Sequence, residues 1–174
     1  MFPADSGSGK STLALALLSR GWKYFCDEFA MIDPETLCLH PFPKALCIKS
    51  GSFEIVHRSG LAFAAGRYHV HGYKGQVGYV NPLHFGSDVM AEPAPIRLIV
   101  LPKYTPGIAP RCRPTTPDQA AFALARHSPN RTAFGDRAIA VFTDIARKTD
   151  ALALDVGPLE ETCDLLEDLL SKIQ

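Results

Sequence analysis

Residues 5–12, near the start of the chain, have the types and the spacing needed to bind a chain of phosphates. Two glycines alternate with serines there, and glycine lets backbone N–H groups close around phosphate oxygens without hindrance from a side chain. The lysine after the second glycine can reach the β- and γ-phosphates, and the hydroxyl after the lysine is placed to bind Mg²⁺. The pattern therefore predicts a phosphate-binding loop. Its predicted nucleotide-binding residues are Asp5, Ser6, Gly7, Ser8, Gly9, Lys10, Ser11 and Thr12, with the hydroxyl of Ser11 (or of Thr12) on the metal.

A helix is expected directly after this loop, because residues 13–18 read Leu-Ala-Leu-Ala-Leu-Leu. The positive end of that helix would point at the phosphates. Ala4 stands where the full motif has its first glycine, and the alternative interpretation is a flexible Gly/Ser-rich tail. Such loops normally follow a β-strand, and only three residues precede this one. We therefore expect either an N-terminally truncated domain that lacks the strand, a start assigned too late, or another element in the strand's place.

A pair of carboxylates follows the loop. Asp27 and Glu28 come 17 residues after Lys10 and end an aromatic-rich segment, residues 22–26, that is predicted to be a strand. The carboxyl ends of strands in α/β sheets carry the ligand, so this pair is expected beside the phosphates. One carboxylate could hold Mg²⁺, and the other could orient an acceptor hydroxyl and take its proton. The alternative is a solvated acidic turn.

The rest of the sequence predicts a single α/β domain that combines a mixed sheet with C-terminal helices. A capping pattern at Thr116 predicts a helix to about residue 127. Helices are also expected at 135–148, with Ile139 in its apolar stripe, and from 158 onward. Residues 102–114 are expected to form a loop that carries Arg111 and Arg113. Strands are predicted at 29–32, 36–39, 46–49, 53–56, 68–71, 76–80, 96–101 and 151–154.

Composition excludes some classes of partner. Eighteen basic residues balance eighteen acidic ones, so no net positive field would attract nucleic acid or an anionic membrane. No apolar stretch reaches the roughly 18 residues that a membrane span needs. The odd number of cysteines, five, contains no C-x-x-C pair and favours a reduced, cytoplasmic setting.

The loop, the segment Arg20-Gly21-Trp22 and the sequence Cys26-Asp27-Glu28 together resemble the catalytic domain of bacterial HPr serine kinase/phosphorylase. They are most similar to the HPr-kinase-related proteins of the kinase A type. Looser similarity continues at residues 41–43, 74–75, 101–107 and 127–130. The resemblance implies a P-loop kinase fold related to phosphoenolpyruvate carboxykinase, and an oligomer. It also implies that Lys10 and the loop bind the phosphates of ATP, that Ser11 and Glu28 serve Mg²⁺, and that Asp27 is the base toward a serine hydroxyl.

The hypothesis from the sequence is thus ATP-dependent phosphoryl transfer to a serine or other hydroxyl on a peptide, a protein or a small molecule, with Asp27 and Lys10 as catalytic residues. Two alternatives stay open: a degenerate or regulatory nucleotide-binding module, and a P-loop ATPase. His69, His71 and His84 could bind Zn²⁺ but are more typical of structural histidines. Three basic residues could approach a phosphate or simply be solvated, namely Lys74, Arg111 and Arg113.

Overall fold

The computed structural model describes residues 1–58, 63, 69–71 and 75–172. Among these residues it is a mixed α/β structure with five α-helices and three small sheets. The helices are α1 (Lys10–Ser19), α2 (Phe53–Arg58), α3 (Pro117–Arg126), α4 (Arg131–Lys148) and α5 (Leu159–Leu170). The strands are β1 (Met31–Ile32), β2 (Cys38–His40), β3 (Leu46–Lys49), β4 (His69–His71), β5 (Gly75–Val80), β6 (Ala94–Pro95), β7 (Leu98–Tyr104), β8 (Arg111–Pro114) and β9 (Asp150–Val156).

The chain forms two compact units. Unit 1 contains the described residues of Met1–Lys10, Ile32–Leu39 and Ala94–Gln174, and unit 2 contains those of Ser11–Met31 and His40–Pro93. The predicted phosphate loop up to Lys10 therefore belongs to unit 1, and Asp27 and Glu28 belong to unit 2.

The sheet of unit 1 has the order β7-β9-β8. Strands β7 and β9 run parallel, from Leu98 opposite Asp150 to Tyr104 opposite Val156, and β8 pairs antiparallel with β9. On the other edge of β7, the Met1 amino group donates to the carbonyl of Leu98 at 2.8 Å, and the Val100 N–H donates to the carbonyl of Met1 at 2.9 Å. This alternation is that of a parallel bridge, so the segment leading into the phosphate loop runs in the same direction as β7.

The predicted loop at 102–114 is wrong at both ends, because β7 continues to Tyr104 and residues 111–114 form β8. Pro102 is tolerated inside β7 because of its register. The backbone groups of Leu98 and Val100 face the edge where Met1 lies, so position 102 faces that edge as well. A missing N–H there removes no hydrogen bond to β9.

The core of unit 1 consists of Ile99 of β7 packed with buried side chains of α3 and α4. The predicted capping box is confirmed: Thr116 Oγ1 accepts from the Gln119 N–H at 3.3 Å, and the Gln119 side chain accepts from the Thr116 N–H at 3.4 Å. Helix α4 begins four residues before its predicted start and is kinked at Gly135, whose φ of 51° is left-handed. Ile139 is 47% exposed, so its assignment to the buried stripe is wrong. The buried stripe starts one residue earlier, at Ala138, about 100° around the helix.

The core of unit 2 lies between α1 and the antiparallel sheet β3-β5-β4. Residues 53–56, predicted as a strand, are helical and belong to α2, where Val56 is fully buried. The predicted strand at 22–26 is reduced to one parallel bridge between Tyr24 and Met90. Residues 72–74, between the strands predicted at 68–71 and 76–80, lie outside the described residues.

The strands predicted around the turn at residues 33–35 are confirmed in part as β1 and β2. Asp33 holds the turn, since its Oδ1 accepts from the N–H of Glu35 at 2.8 Å and of Thr36 at 3.3 Å. In the part of the chain that the structure describes, none of the helices is both long enough and apolar enough to cross a membrane.

Candidate functional site

The loop before α1 has a backbone that only glycine adopts readily. Gly7 and Gly9 have φ values of 92° and 90°, which side chains of L-residues disfavour. The Ser8 N–H donates to the carbonyl of Asp5 at 3.3 Å and closes the turn between them. A Cβ added at Gly7 would meet no atom within 4 Å, so the positive φ, and not crowding, is what disfavours a side chain there. The two glycines that the sequence pattern singled out are thus required by the observed turn.

Lys10 folds back over this loop. Its ammonium donates to the carbonyl oxygens of Ala4 at 2.8 Å and Asp5 at 2.7 Å, and lies 3.4 Å from Ser8 Oγ. The cation is therefore held at the centre of the turn by weakly charged oxygen acceptors. An anion entering the loop would offer this ammonium a stronger, charge-assisted hydrogen bond.

The predicted helix is present as α1 but starts at Lys10, three residues before the leucine-rich run, so its unsatisfied N–H groups lie within the loop at residues 5–12. Four leucines of the helix are buried, namely Leu13, Leu15, Leu17 and Leu18. The two predicted metal-binding hydroxyls differ in their surroundings. Both residues are half-buried at the first turn of the helix, but Thr12 Oγ1 is in a hydrogen bond with Ser52 Oγ at 2.7 Å. The hydroxyl of Ser11 is therefore the better candidate of the two.

A second group of charges meets the loop from the C-terminal end of α3. Arg126 Nη2 lies 3.1 Å from Asp5 Oδ2 and 3.5 Å from Asp5 Oδ1, and His127 Nδ1 lies 3.9 Å from Asp5 Oδ1. Burial lowers the pKa of His127, and the charges of Arg126 and Lys10 add to that shift, while Asp5 opposes it. Three basic side chains thus surround the acidic residue of the loop.

Asp27 and Glu28 have specific neighbours within unit 2. Asp27 Oδ2 accepts from the Cys47 N–H at 3.1 Å, and Glu28 forms an ion pair with Lys44 through its Oε2. The Lys44 ammonium also lies 5.3 Å from the centre of the Phe29 ring, a cation–π contact. The pair lies at a bend, with Asp27 half-buried and Glu28 exposed, and both side chains have protein partners.

Tyr24 is a buried residue that contacts the same part of unit 2. It is 4% exposed, and its hydroxyl donates to the Lys44 carbonyl at 2.7 Å. Burial, followed by the nearby Asp27 carboxylate, raises the pKa of this hydroxyl well above its usual value. Tyr24 is therefore a neutral hydrogen-bond donor that fixes the backbone at Lys44.

Unit 1 contains a cleft at the carboxyl ends of β7 and β9, with a volume of about 420 Å³. Tyr104, Ile108 and Glu161 are among its lining residues, and Tyr104 is 53% exposed. A Cβ added at Gly9 would lie 3.8 Å from the Cβ of Tyr104, so the phosphate loop borders the same strand ends. A larger cavity of about 960 Å³ lies at the opposite, amino ends of these strands, near Arg97 and Asp150.

The other candidates from the sequence have different outcomes. Arg111 and Arg113 lie on β8, not on a loop, and Arg113 pairs with Asp155 at 2.8 Å. Within the described residues, no group of three or more His, Cys, Asp and Glu side chains could hold a metal ion. The ring of His69 instead lies 5.6 Å from that of Tyr79. Lys74 lies outside the described residues.

Sequence reasoning missed Arg126, His127 and Lys44. Arg126 is 121 residues from Asp5 in the sequence, and Lys44 is 16 residues from Glu28, with β1 and β2 between them. For the contact between Arg126 and Asp5, the only signal in the sequence is that two basic residues end a capped helix, which is an ordinary preference of helix C-termini.

Comparison with known proteins adds no relative: the chain matches no family model, no curated protein and no solved structure.

Proposed function

We propose that this chain binds Mg-ATP through the loop at residues 5–12 and transfers the γ-phosphoryl group to a hydroxyl of a peptide, a protein or a small molecule. The observation that carries the proposal is the loop itself. Two left-handed glycines, an inward-folded Lys10 and the start of α1 converge at one turn. This combination is what binding a polyphosphate requires.

The residues present fit a nucleotide triphosphate with its metal. The space beside Gly7 is open, and the Lys10 ammonium, which now donates to the carbonyl oxygens of Ala4 and Asp5, would donate to phosphate oxygens instead. Hydroxyl and carboxylate oxygens are the ligands that Mg²⁺ prefers, and Ser11 and Glu28 would supply them. Bound Mg²⁺ would neutralise charge on the phosphates as the transferred group leaves. The Lys44–Glu28 ion pair would have to open or be shared for Glu28 to serve the metal.

The proposed transfer step is a direct displacement. The oxygen of the acceptor hydroxyl forms a bond to the γ-phosphorus, the bond from that phosphorus to the β–γ bridging oxygen breaks, and ADP leaves with that electron pair. The hydroxyl proton passes to the carboxylate of Asp27 and then to water. This carboxylate is positioned in part by the Cys47 N–H, which donates to its Oδ2 at 3.1 Å.

The resemblance to HPr-kinase-related proteins supports a P-loop kinase domain of the same type as phosphoenolpyruvate carboxykinase. We extend the proposal to a cytoplasmic protein, because its five cysteines are free thiols. The resemblance adds that the protein assembles with copies of itself.

A second candidate is a nucleotide-binding module without transfer activity. The specific observation in its favour is that both carboxylates already have protein partners, a backbone N–H for Asp27 and the Lys44 ammonium for Glu28. In that case the pair is structural and only the loop binds ligand.

The first test is a thermal melt with and without excess Mg-ATP. A ligand at about 100 times its dissociation constant stabilises the folded state by about 2.7 kcal/mol, which is several degrees for a protein of this size. We expect that shift for the wild type and its loss in Lys10→Ala. The matched control is Lys23→Ala, which removes another exposed lysine, one whose ammonium donates to Asp88 Oδ2 at 2.7 Å. No shift for the wild type, or a shift that Lys10→Ala keeps, would overturn the assignment of the loop.

The second test separates transfer from binding. Asp27→Asn preserves shape and can still accept from the Cys47 N–H. We expect the Mg-ATP melting shift to persist and phosphorylation of a hydroxyl acceptor to be lost. Phosphoryl transfer at the wild-type rate by this variant would exclude Asp27 as the base. A wild type that binds Mg-ATP but phosphorylates nothing in a broad acceptor screen would favour the binding module.

A further inference from the structure

The charges around the loop are unbalanced in a way that points to a ligand. Asp5 places a carboxylate at the start of the loop that is proposed to bind phosphates, and a carboxylate repels a nearby phosphate. Arg126 forms an ion pair with this carboxylate through one guanidinium nitrogen, Nη2, which lies 3.1 Å from Oδ2 and 3.5 Å from Oδ1. The contact is made by a single nitrogen, so the remaining donors of the guanidinium are available for a second acceptor.

The position of Arg126 is set by rigid structure. It is the last residue of α3, whose start is fixed by the Thr116 capping box and whose end is closed by the His127 N–H donating to the Ala123 carbonyl at 3.1 Å. Leu124 and Ala120 of the same helix are buried in the core of unit 1. The helix therefore presents Arg126 at the loop in one place, and its negative end favours a cation there.

We propose that Arg126 binds the terminal phosphate of the bound nucleoside triphosphate and neutralises the charge that develops there during transfer, with Asp5 holding it beside the loop until the nucleotide enters. This inference rests on the proposed function. Asp5 and Lys10 are already joined, because the Lys10 ammonium donates to the Asp5 carbonyl at 2.7 Å, so the guanidinium and the ammonium approach the same residue. A phosphate that draws Lys10 from that carbonyl enters within reach of Arg126. The 58% exposure of Arg126 leaves its side chain room to turn.

The test compares the binding of Mg-ATP with that of Mg-ADP by isothermal titration. An arginine on the terminal phosphate discriminates between the two nucleotides, whereas an arginine that only supports the fold does not. We expect Arg126→Ala to weaken Mg-ATP binding about tenfold or more while Mg-ADP binding changes less than about twofold, since a charged hydrogen bond is lost only with the triphosphate. Arg126→Lys should recover part of the preference, because an ammonium keeps the charge but lacks the planar fork.

The matched control is Arg137→Ala. Arg137 also lies in unit 1, is 60% exposed and pairs with an exposed acid, Glu35, at 3.7 Å. It should change neither affinity.

The outcomes separate the two proposals. Equal weakening of Mg-ATP and Mg-ADP by Arg126→Ala, or no change in either, overturns the role of Arg126 and leaves the proposed function standing. Failure of the wild type to bind either nucleotide overturns the proposed function. Inorganic tripolyphosphate is then the deciding probe: binding that Arg126→Ala weakens supports an anion site at this residue, and the absence of such binding overturns it.

Discussion

Gly157 connects β9 to α5, and replacing it by alanine gives a stability change whose size follows from distances. A Cβ at position 157 would lie 2.5 Å from the Ile108 carbonyl oxygen, 2.8 Å from Pro110 N and 2.9 Å from Pro110 Cδ. The first two atoms are backbone, so no rotation of a side chain can relieve the overlap. The segment carrying Ile108 and Pro110 must move away from the end of β9.

Such overpacking costs about 1–3 kcal/mol. For a domain of 150–250 residues, each kcal/mol changes the melting temperature by about 2–4 °C, so we expect Gly157→Ala to lower it by about 2–12 °C. The displaced segment also begins at a hydrogen bond from the Thr105 N–H to the Val156 carbonyl at 3.4 Å. Amide exchange at Thr105 should therefore accelerate in the variant.

The measurements are a thermal melt followed by circular dichroism and amide exchange followed by NMR. Gly51→Ala is the control, because its added Cβ would meet nothing within 4 Å and its backbone is not left-handed. A Gly→Ala change at a compatible site stabilises by about 0.4–1 kcal/mol, so this variant should melt at or above the wild-type temperature. If Gly157→Ala melts with the wild type and Thr105 exchanges at its original rate, the close approach of the two segments is refuted.

Three further changes have defined outcomes. Burial lowers the pKa of His127 below its ordinary 6.5, so the unfolded state binds this proton more readily, and the free energy of unfolding should fall as the pH drops below about 6.5. In urea melts, the difference in the free energy of unfolding between pH 7.5 and pH 5 should be smaller for His127→Gln than for the wild type. An equal difference would contradict the assignment. Tyr24→Phe removes the hydroxyl that donates to the Lys44 carbonyl and should lower the free energy of unfolding by about 1 kcal/mol in urea melts. An unchanged free energy of unfolding would mean that this hydrogen bond adds no stability. Gly7→Ala places a Cβ at a φ of 92° in open space, so it should weaken Mg-ATP binding through the shape of the loop, and titration at wild-type affinity would show that the glycine is dispensable.

Local signals in the sequence predicted local structure well. The Thr116 capping box, the leucine-rich helix after the loop and the strand at 46–49 depend on neighbouring residues, and all three are present. The prediction of a strand at residues 53–56 was wrong because Ile55 and Val56 favour a strand locally. Their helical conformation is decided by burial, since Val56 is fully buried and the Phe53 ring lies 4.8 Å from that of Phe63.

The candidate site was predictable only where it is contiguous. The turn from Asp5 to Lys10 lies within one sequence motif, and its two glycines have the positive φ values that such a loop needs. The contact of Asp27 with the Cys47 N–H and that of Asp5 with Arg126 join residues far apart in sequence. Such pairs depend on how strands and helices are ordered in space, and neither hydrophobic period nor motif spacing specifies that order.

The parallel pairing of β7 with β9 has a consequence for how unit 1 folds. Leu98 faces Asp150, so β8, α3 and α4 all lie in the segment that must be closed before these strands can meet. Closing a long segment costs chain entropy before any contact between the strands repays it, whereas helices form from near neighbours. We therefore expect α3 and α4 to assemble early and β9 to dock late. Substitutions in β9 should then change the unfolding rate of unit 1 more than its folding rate.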